Sequence, residues 1–280
     1  MDRPAPPPAP VAELWLRRLA HFVRYAALAG LLAFGAYIAL RATGATFKNF
    51  EQWRALVGGL PMTASDWVAN LGIGLHFVMG TVLVLAWPIL LSARIRARHR
   101  AVHRWTGRVY VSAGFLAGVG GMSFILTHGA YTPAASLAFG IWGAVLMLSA
   151  AMAYLHARAK RFDLHRAWAI RLFAMVLGSW VFDLEFRAWK DLTGGIGIGA
   201  GTTSGLFDYA ILYLFFVPNL LVAEFFIRNQ HKRIVLPRHL AWPAVGGFAA
   251  VALVFAYAII MVSATPSGKY GKHLLQLLAG

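Results

Sequence analysis

The chain has 280 residues, of which 59% are hydrophobic and only 13% charged, and its mean hydropathy is +0.63. Soluble domains carry roughly a quarter charged residues, so this composition fits lipid as the solvent and leaves no room for a soluble catalytic domain. The net charge is +16 and cysteine is absent, which excludes disulfides, thiol chemistry and cysteine-held iron–sulfur clusters.

In chain order, residues 1–18 read as a proline-rich, basic, disordered tail. Its first ten residues, MDRPAPPPAP, offer little to bury and few backbone donors. The apolar run that follows is too long for a cleaved signal peptide and has no small-residue cleavage site near its end. Seven stretches are then long and apolar enough to cross a bilayer: 19–41, 68–93, 107–128, 134–157, 167–189, 205–227 and 240–263. The expected fold is therefore all-α, a polytopic transmembrane helix bundle of about seven spans over 19–263, with a tail at 264–280. Two connections stand out. Residues 47–57 (FKNFEQWRALV) predict a short amphipathic helix lying at the interface. Residues 194–201 (GGIGIGAG) have no strand before them, so they are no dinucleotide fingerprint and read as a flexible loop.

Charge sets the expected orientation. With the N-terminus inside, the inner segments carry 19 of the 26 Lys and Arg residues, so the positive-inside rule predicts N-in and C-out. The basic loops then read as anchors on anionic lipid headgroups rather than as a nucleic-acid surface.

Few polar residues fall within the spans. His76 lies nine residues beyond Trp67, about 14 Å along the helix. Ionisable residues at such depth are rare and usually functional. Gly72 and Gly80 flank it at i−4 and i+4 on the same helix face. Either a flat macrocycle lies in the resulting groove or a neighbouring helix packs there. His103 and His165 open two similar strings, His103-Arg104-Trp105-Thr106-Gly107-Arg108 and His165-Arg166-Ala167-Trp168-Ala169-Ile170-Arg171. A helix N-terminus with Arg104, Arg108, Arg166 and Arg171 around it makes an anion-binding ring, suited to haem propionates, a lipid headgroup or an anionic substrate. His128 and His156 close spans at opposite ends and read as interfacial. Asp183 with Arg187, and Glu224 with Arg228, are i,i+4 pairs facing the bundle interior or, alternatively, parts of a proton or ion path.

These elements resemble a family of bacterial predicted membrane proteins, domain of unknown function 2306. The likeness rests on Leu75-His76 with Gly80, on Pro88, and on His103-Arg104-Trp105 with Gly107-Arg108 and Tyr110. It continues through Asp163, His165-Arg166, Trp168 and Ile170-Arg171 to Asn219-Leu220, Ala223-Glu224 and Ile227-Arg228, covering about residues 68–230. The resemblance implies a multi-pass protein of the bacterial inner membrane and a shared motif that includes His76, His103 and His165. It implies no activity, and His128 and His156 fall outside it.

Three functions stay open on these residues. The first is a b-type haem protein that transfers electrons to a membrane redox partner. His103 and His165 would be axial ligands of one haem, and His76 with His128 of another. The second is a transporter or channel for a small anion, lipid or proton, with His76, Asp183 and Glu224 along its path. The third is a non-catalytic membrane subunit. The sequence fixes neither an oligomeric state nor an enzymatic reaction.

Overall fold

The computed structural model describes residues 11–48, 63–130, 132–199, 204–229 and 238–259. Among them all regular structure is helical: α1 (Val11–Lys48), α2 (Trp67–Leu91), α3 (Ala93–Arg98), α4 (Arg100–Thr127), α5 (Pro133–Arg158), α6 (Phe162–Thr193), α7 (Leu206–Leu214), α8 (Val217–Asn229) and α9 (Arg238–Ile259). Residues 11–18, expected in the disordered tail, are instead the first turns of α1. Residues 1–10 and 260–280 lie outside the described residues, as does all but the start of the predicted interfacial helix at 47–57.

Among the described residues six stretches are long and apolar enough to cross a membrane: Leu14–Ala36, Trp67–Leu91, Arg100–Thr127, Pro133–Arg158, Phe162–Thr193 and Leu206–Asn229. The expected seventh falls on α9, whose described apolar run, Trp242–Leu253, is short of a crossing. That helix packs along α1. The two ends of the bundle differ in character. The starts of α4 and α6 and the end of α8 carry the arginines and form a basic end. The turn at 63–66, His128 and the glycine loop after Thr193 lie at the far end.

A bilayer gives helices no hydrophobic reason to associate, so close packing must hold them. Glycines allow it. A Cβ at Gly72 would run into the Ser123 hydroxyl and come within 2.8 Å of the Gly120 carbonyl, so α2 and α4 touch backbone to backbone. A Cβ at Gly30 of α1 would collide with the Trp180 indole. The interior is apolar and fully closed at Trp180, Phe215, Leu172 and Met175, while Leu221, Val222, Phe225 and Phe226 of α8 point outward, as lipid-facing side chains do.

The sixth span is interrupted. Helix α7 ends at Leu214, Phe215 and Phe216 make a turn, and α8 resumes with Pro218, which has no N–H to give to a continuous ladder. The donor that proline lacks is the one for the Leu214 carbonyl four residues back, and the Asn219 side-chain amide donates to the neighbouring Phe215 carbonyl at 2.7 Å. Gly178 of α6 makes room for this turn, since a Cβ there would stand 3.1 Å from the Phe215 carbonyl oxygen.

The glycine-rich connection is tied down in its described part, residues 194–199, while residues 200 and 201 of the expected loop lie outside the described residues. Gly194, Gly195 and Gly197 adopt positive φ, which glycine accepts without strain. The Trp189 indole donates to the Ile196 carbonyl, and the buried Asp208 carboxylate accepts the N–H groups of Gly199 (2.8 Å) and Gly205 (2.9 Å). Trp189 and Phe207 stack with centroids 4.7 Å apart.

Candidate functional site

A cavity of about 200 Å³ lies between α2, α4 and α5, and His76 is its one ionisable lining residue. Its walls are apolar, with Phe77, Phe124, Phe139 and Trp142 supplying aromatic faces and Gly118 and Gly121 keeping α4 flat. Helix geometry puts the polar and aromatic parts at one level. His76 is nine residues from the far-end start of α2, and Trp142 is nine residues from the far-end start of α5. Their rings meet edge to face with centroids 6.0 Å apart.

The imidazole is held from one side. Its Nδ1 lies 2.9 Å from the Ala117 carbonyl oxygen, and a Cβ at Gly121 would approach that same ring edge to 3.0 Å. A carbonyl only accepts, so Nδ1 carries the hydrogen and Nε2 keeps its lone pair. The neighbouring polar groups are occupied. Trp142 Nε1 donates to the Met175 carbonyl at 3.0 Å, and the Ser123 hydroxyl donates to the Gly120 carbonyl at 2.9 Å.

Of the two readings of the glycine groove, helix packing is what occupies Gly72. At Gly80 a Cβ would meet nothing within 4 Å. His128 is not brought to His76. It closes α4 at the far end, beside Phe124 and near Asp66. There the Thr63 backbone N–H and hydroxyl hold the Asp66 carboxyl below its usual range, with a smaller contribution from His128.

His103 and His165 are brought near one another at the basic end, and Arg96 stands close enough to act on His103 as well. His165 repeats the His76 arrangement: its Nδ1 donates to the Ala153 carbonyl of α5 at 2.8 Å. His103 Nδ1 is buried without a hydrogen-bond partner. So is the hydroxyl of Tyr110, two turns further along the same face of α4.

The expected arginine ring divides. Arg171 turns inward and grips Glu224 of α8 with both ends of its fork, Nε to Oε1 and Nη2 to Oε2 at 3.1 Å, while resting on Trp168 at 4.5 Å. Arg228, the partner expected for Glu224, stands at 3.9 Å and is largely exposed. Arg108 lies over Trp105 at 4.6 Å, and Arg104, Arg108 and Arg166 are exposed. Asp183 does meet Arg187, at 3.8 Å. Among the described residues no three His, Asp or Glu side chains gather as a metal cluster.

Sequence reasoning singled out His76 but missed its setting, above all Trp142. A usable signal existed. Tryptophans favour membrane interfaces, so one at mid-span, as many residues from its helix start as His76 is from its own, is unusual.

The profile of the family described as "predicted membrane protein (DUF2306)" matches residues 73–227, more than half of the chain. That region holds the cavity, His76, His103, His128, His156 and His165 and the Arg171–Glu224 pair, and it leaves out α1 and α9. No curated protein and no solved structure matches the chain. With this match over more than half of its length and its apolar helical spans, the chain belongs to the DUF2306 family of predicted membrane proteins.

Proposed function

We propose that this integral membrane protein binds a small lipid-soluble molecule in the α2–α4–α5 cavity, with His76 as the polar contact. The observation that carries the reading is the half-satisfied imidazole. One nitrogen is fixed on the Ala117 carbonyl, which orients the ring, and the other is left open on an apolar cavity. A polar side chain at this depth is costly unless something completes its hydrogen bonding. A cavity of about 200 Å³ is smaller than the roughly 300–1,000 Å³ that encloses a drug-sized ligand. The occupant is then a small ring, or the head of a longer molecule whose remainder lies in the bilayer. Nothing in this volume favours a haem beside His76.

Gly143→Leu tests the reading. Gly143 lines the cavity, and a Cβ there meets only the Met122 methyl, at 3.8 Å, so a larger side chain can start from this position without a backbone clash at its Cβ. Wild-type protein in nanodiscs should bind fluorobenzene saturably by 19F NMR, and the filled variant should not. Equal uptake by the two proteins would refute the cavity as the site.

The basic end favours a second reading, a haem b held by His103 and His165. It is supported by the buried, unpartnered His103 Nδ1 beside an imidazole whose Nδ1–H is already fixed on Ala153. Arg104, Arg108 and Arg166 would then meet the propionates, while Arg171 is committed to Glu224. A haem here would supply one-electron chemistry, and these residues would set its orientation and charge environment. A reduced-minus-oxidised spectrum of protein expressed with ample haem decides it. A b-type band lost in His103→Ala and His165→Ala supports the reading, and a colourless folded protein removes it. Transport gains less support, because the break in the sixth span, the feature a transporter would use, has its Phe215 carbonyl taken by the Asn219 amide and is packed against Gly178 of α6.

A further inference from the structure

The His76 cavity offers one hydrogen-bonding group, and the sense of that group is fixed. Nδ1–H is spent on Ala117, so Nε2 accepts and does not donate. To donate from Nε2, the ring must either abandon the Ala117 carbonyl or take up a second proton among apolar walls, and both cost free energy. Among the described lining residues the other side-chain donor, the Trp142 N–H, is spent on the Met175 carbonyl. The remaining surface is aromatic or aliphatic, and Trp142 and Phe77 stand edge-on to the imidazole at 6.0 and 5.8 Å.

Resting on the reading of this cavity as a ligand site, we infer that it selects a small aromatic ring bearing one hydroxyl or N–H donor, a phenol-like group, over the same ring with acceptors only. The donor hydrogen closes the open Nε2 lone pair, and the ring fills a slot of matching aromatic walls. An ether or ketone oxygen in the same place would set one lone pair against another. Where a lipid-soluble molecule exists in a phenolic and a carbonyl form, the site therefore holds the phenolic, reduced form.

The test compares 4-fluorophenol, 4-fluoroanisole and fluorobenzene by 19F NMR against wild-type protein in nanodiscs, with protein-free nanodiscs subtracted. The phenol should bind about tenfold tighter than the other two, the worth of one otherwise unmade hydrogen bond in a dry site. In His76→Phe, which keeps an aromatic ring at the position, the three should bind alike. A second measurement needs no variant. In wild-type protein carrying 15N-histidine, the Nε2 resonance of His76 should move with 4-fluorophenol and stay still with 4-fluoroanisole. Equal affinities in the wild type, a phenol preference that survives His76→Phe, or an unmoved Nε2 signal would each overturn the inference. Fluorobenzene binding that persists in those cases keeps the cavity as a ligand site. If none of the three rings binds saturably, the reading beneath the inference falls with it.

Discussion

Replacing Gly120 with alanine tests the contact that aims His76. A Cβ at Gly120 would stand 2.5 Å from the Gly72 carbonyl oxygen and 2.8 Å from the His76 backbone nitrogen, whereas ordinary contact begins at 3.4 Å. Both obstacles are backbone, so no rotamer change relieves them, and α2 and α4 must part by most of an ångström. Forced overpacking of this kind costs about 1–3 kcal/mol, and stretching the His76–Ala117 hydrogen bond adds about 1 kcal/mol. The expected loss is therefore about 2–4 kcal/mol of unfolding free energy. Gly80→Ala makes the identical chemical change on the adjoining turns of α2, where a Cβ meets nothing within 4 Å. It should be neutral or stabilising by up to about 1 kcal/mol, through helix propensity alone. Reversible unfolding in mixed micelles with rising sodium dodecyl sulfate measures both. If Gly120→Ala unfolds at the wild-type midpoint, or Gly80→Ala proves the worse of the two, the interlocked α2–α4 contact is wrong, and with it the account of what orients His76.

Two further tests probe the ends of the bundle. Arg171 and Glu224 are about a quarter exposed, at 21% and 28%, so their bidentate contact should show a coupling of about 1 kcal/mol in a double-mutant cycle of Arg171→Met and Glu224→Gln. A coupling indistinguishable from zero would mean that the two side chains do not meet in the membrane. At the far end, Asp208→Ala leaves the Gly199 and Gly205 N–H groups without their acceptor and should cost about 1–3 kcal/mol. Deuterium exchange should accelerate at those two amides while the interior of α5 is unchanged. Unaltered exchange at Gly199 and Gly205 would count against the anchoring role of Asp208.

The helical class and the core spans were legible because a bilayer imposes length and apolarity on any segment that crosses it. The first and last elements were less so. Residues 11–18 carry charges and looked like tail, yet they continue a helix whose later turns are apolar, and helix propensity makes no distinction at that boundary. His76 was legible as a polar group at depth. Its glycine neighbours were not, since Gly72 and Gly80 are equivalent in spacing and only the placement of α4 separates a packed contact from open space. The glycine loop looked flexible because its anchor, Asp208, lies beyond it in the following helix, and an acidic residue near a helix start has an ordinary capping explanation. For Glu224 the nearer cation, Arg228, was the natural partner by spacing. Arg171, 53 residues away, wins because it approaches with the full fork of its guanidinium.

The turn at Phe215 and Phe216 bears on how the chain enters its membrane. Residues 206–229 make the most apolar of the six candidate spans, so the segment has ample drive to partition into lipid as a unit. Part of its interruption is satisfied from within, because the amide that donates to the Phe215 carbonyl belongs to Asn219, four residues on in the same segment. Insertion of this span therefore does not have to wait for a partner helix to shield that carbonyl. Docking onto Gly178 of α6 can follow as a separate, later step of assembly, in which shape alone is matched.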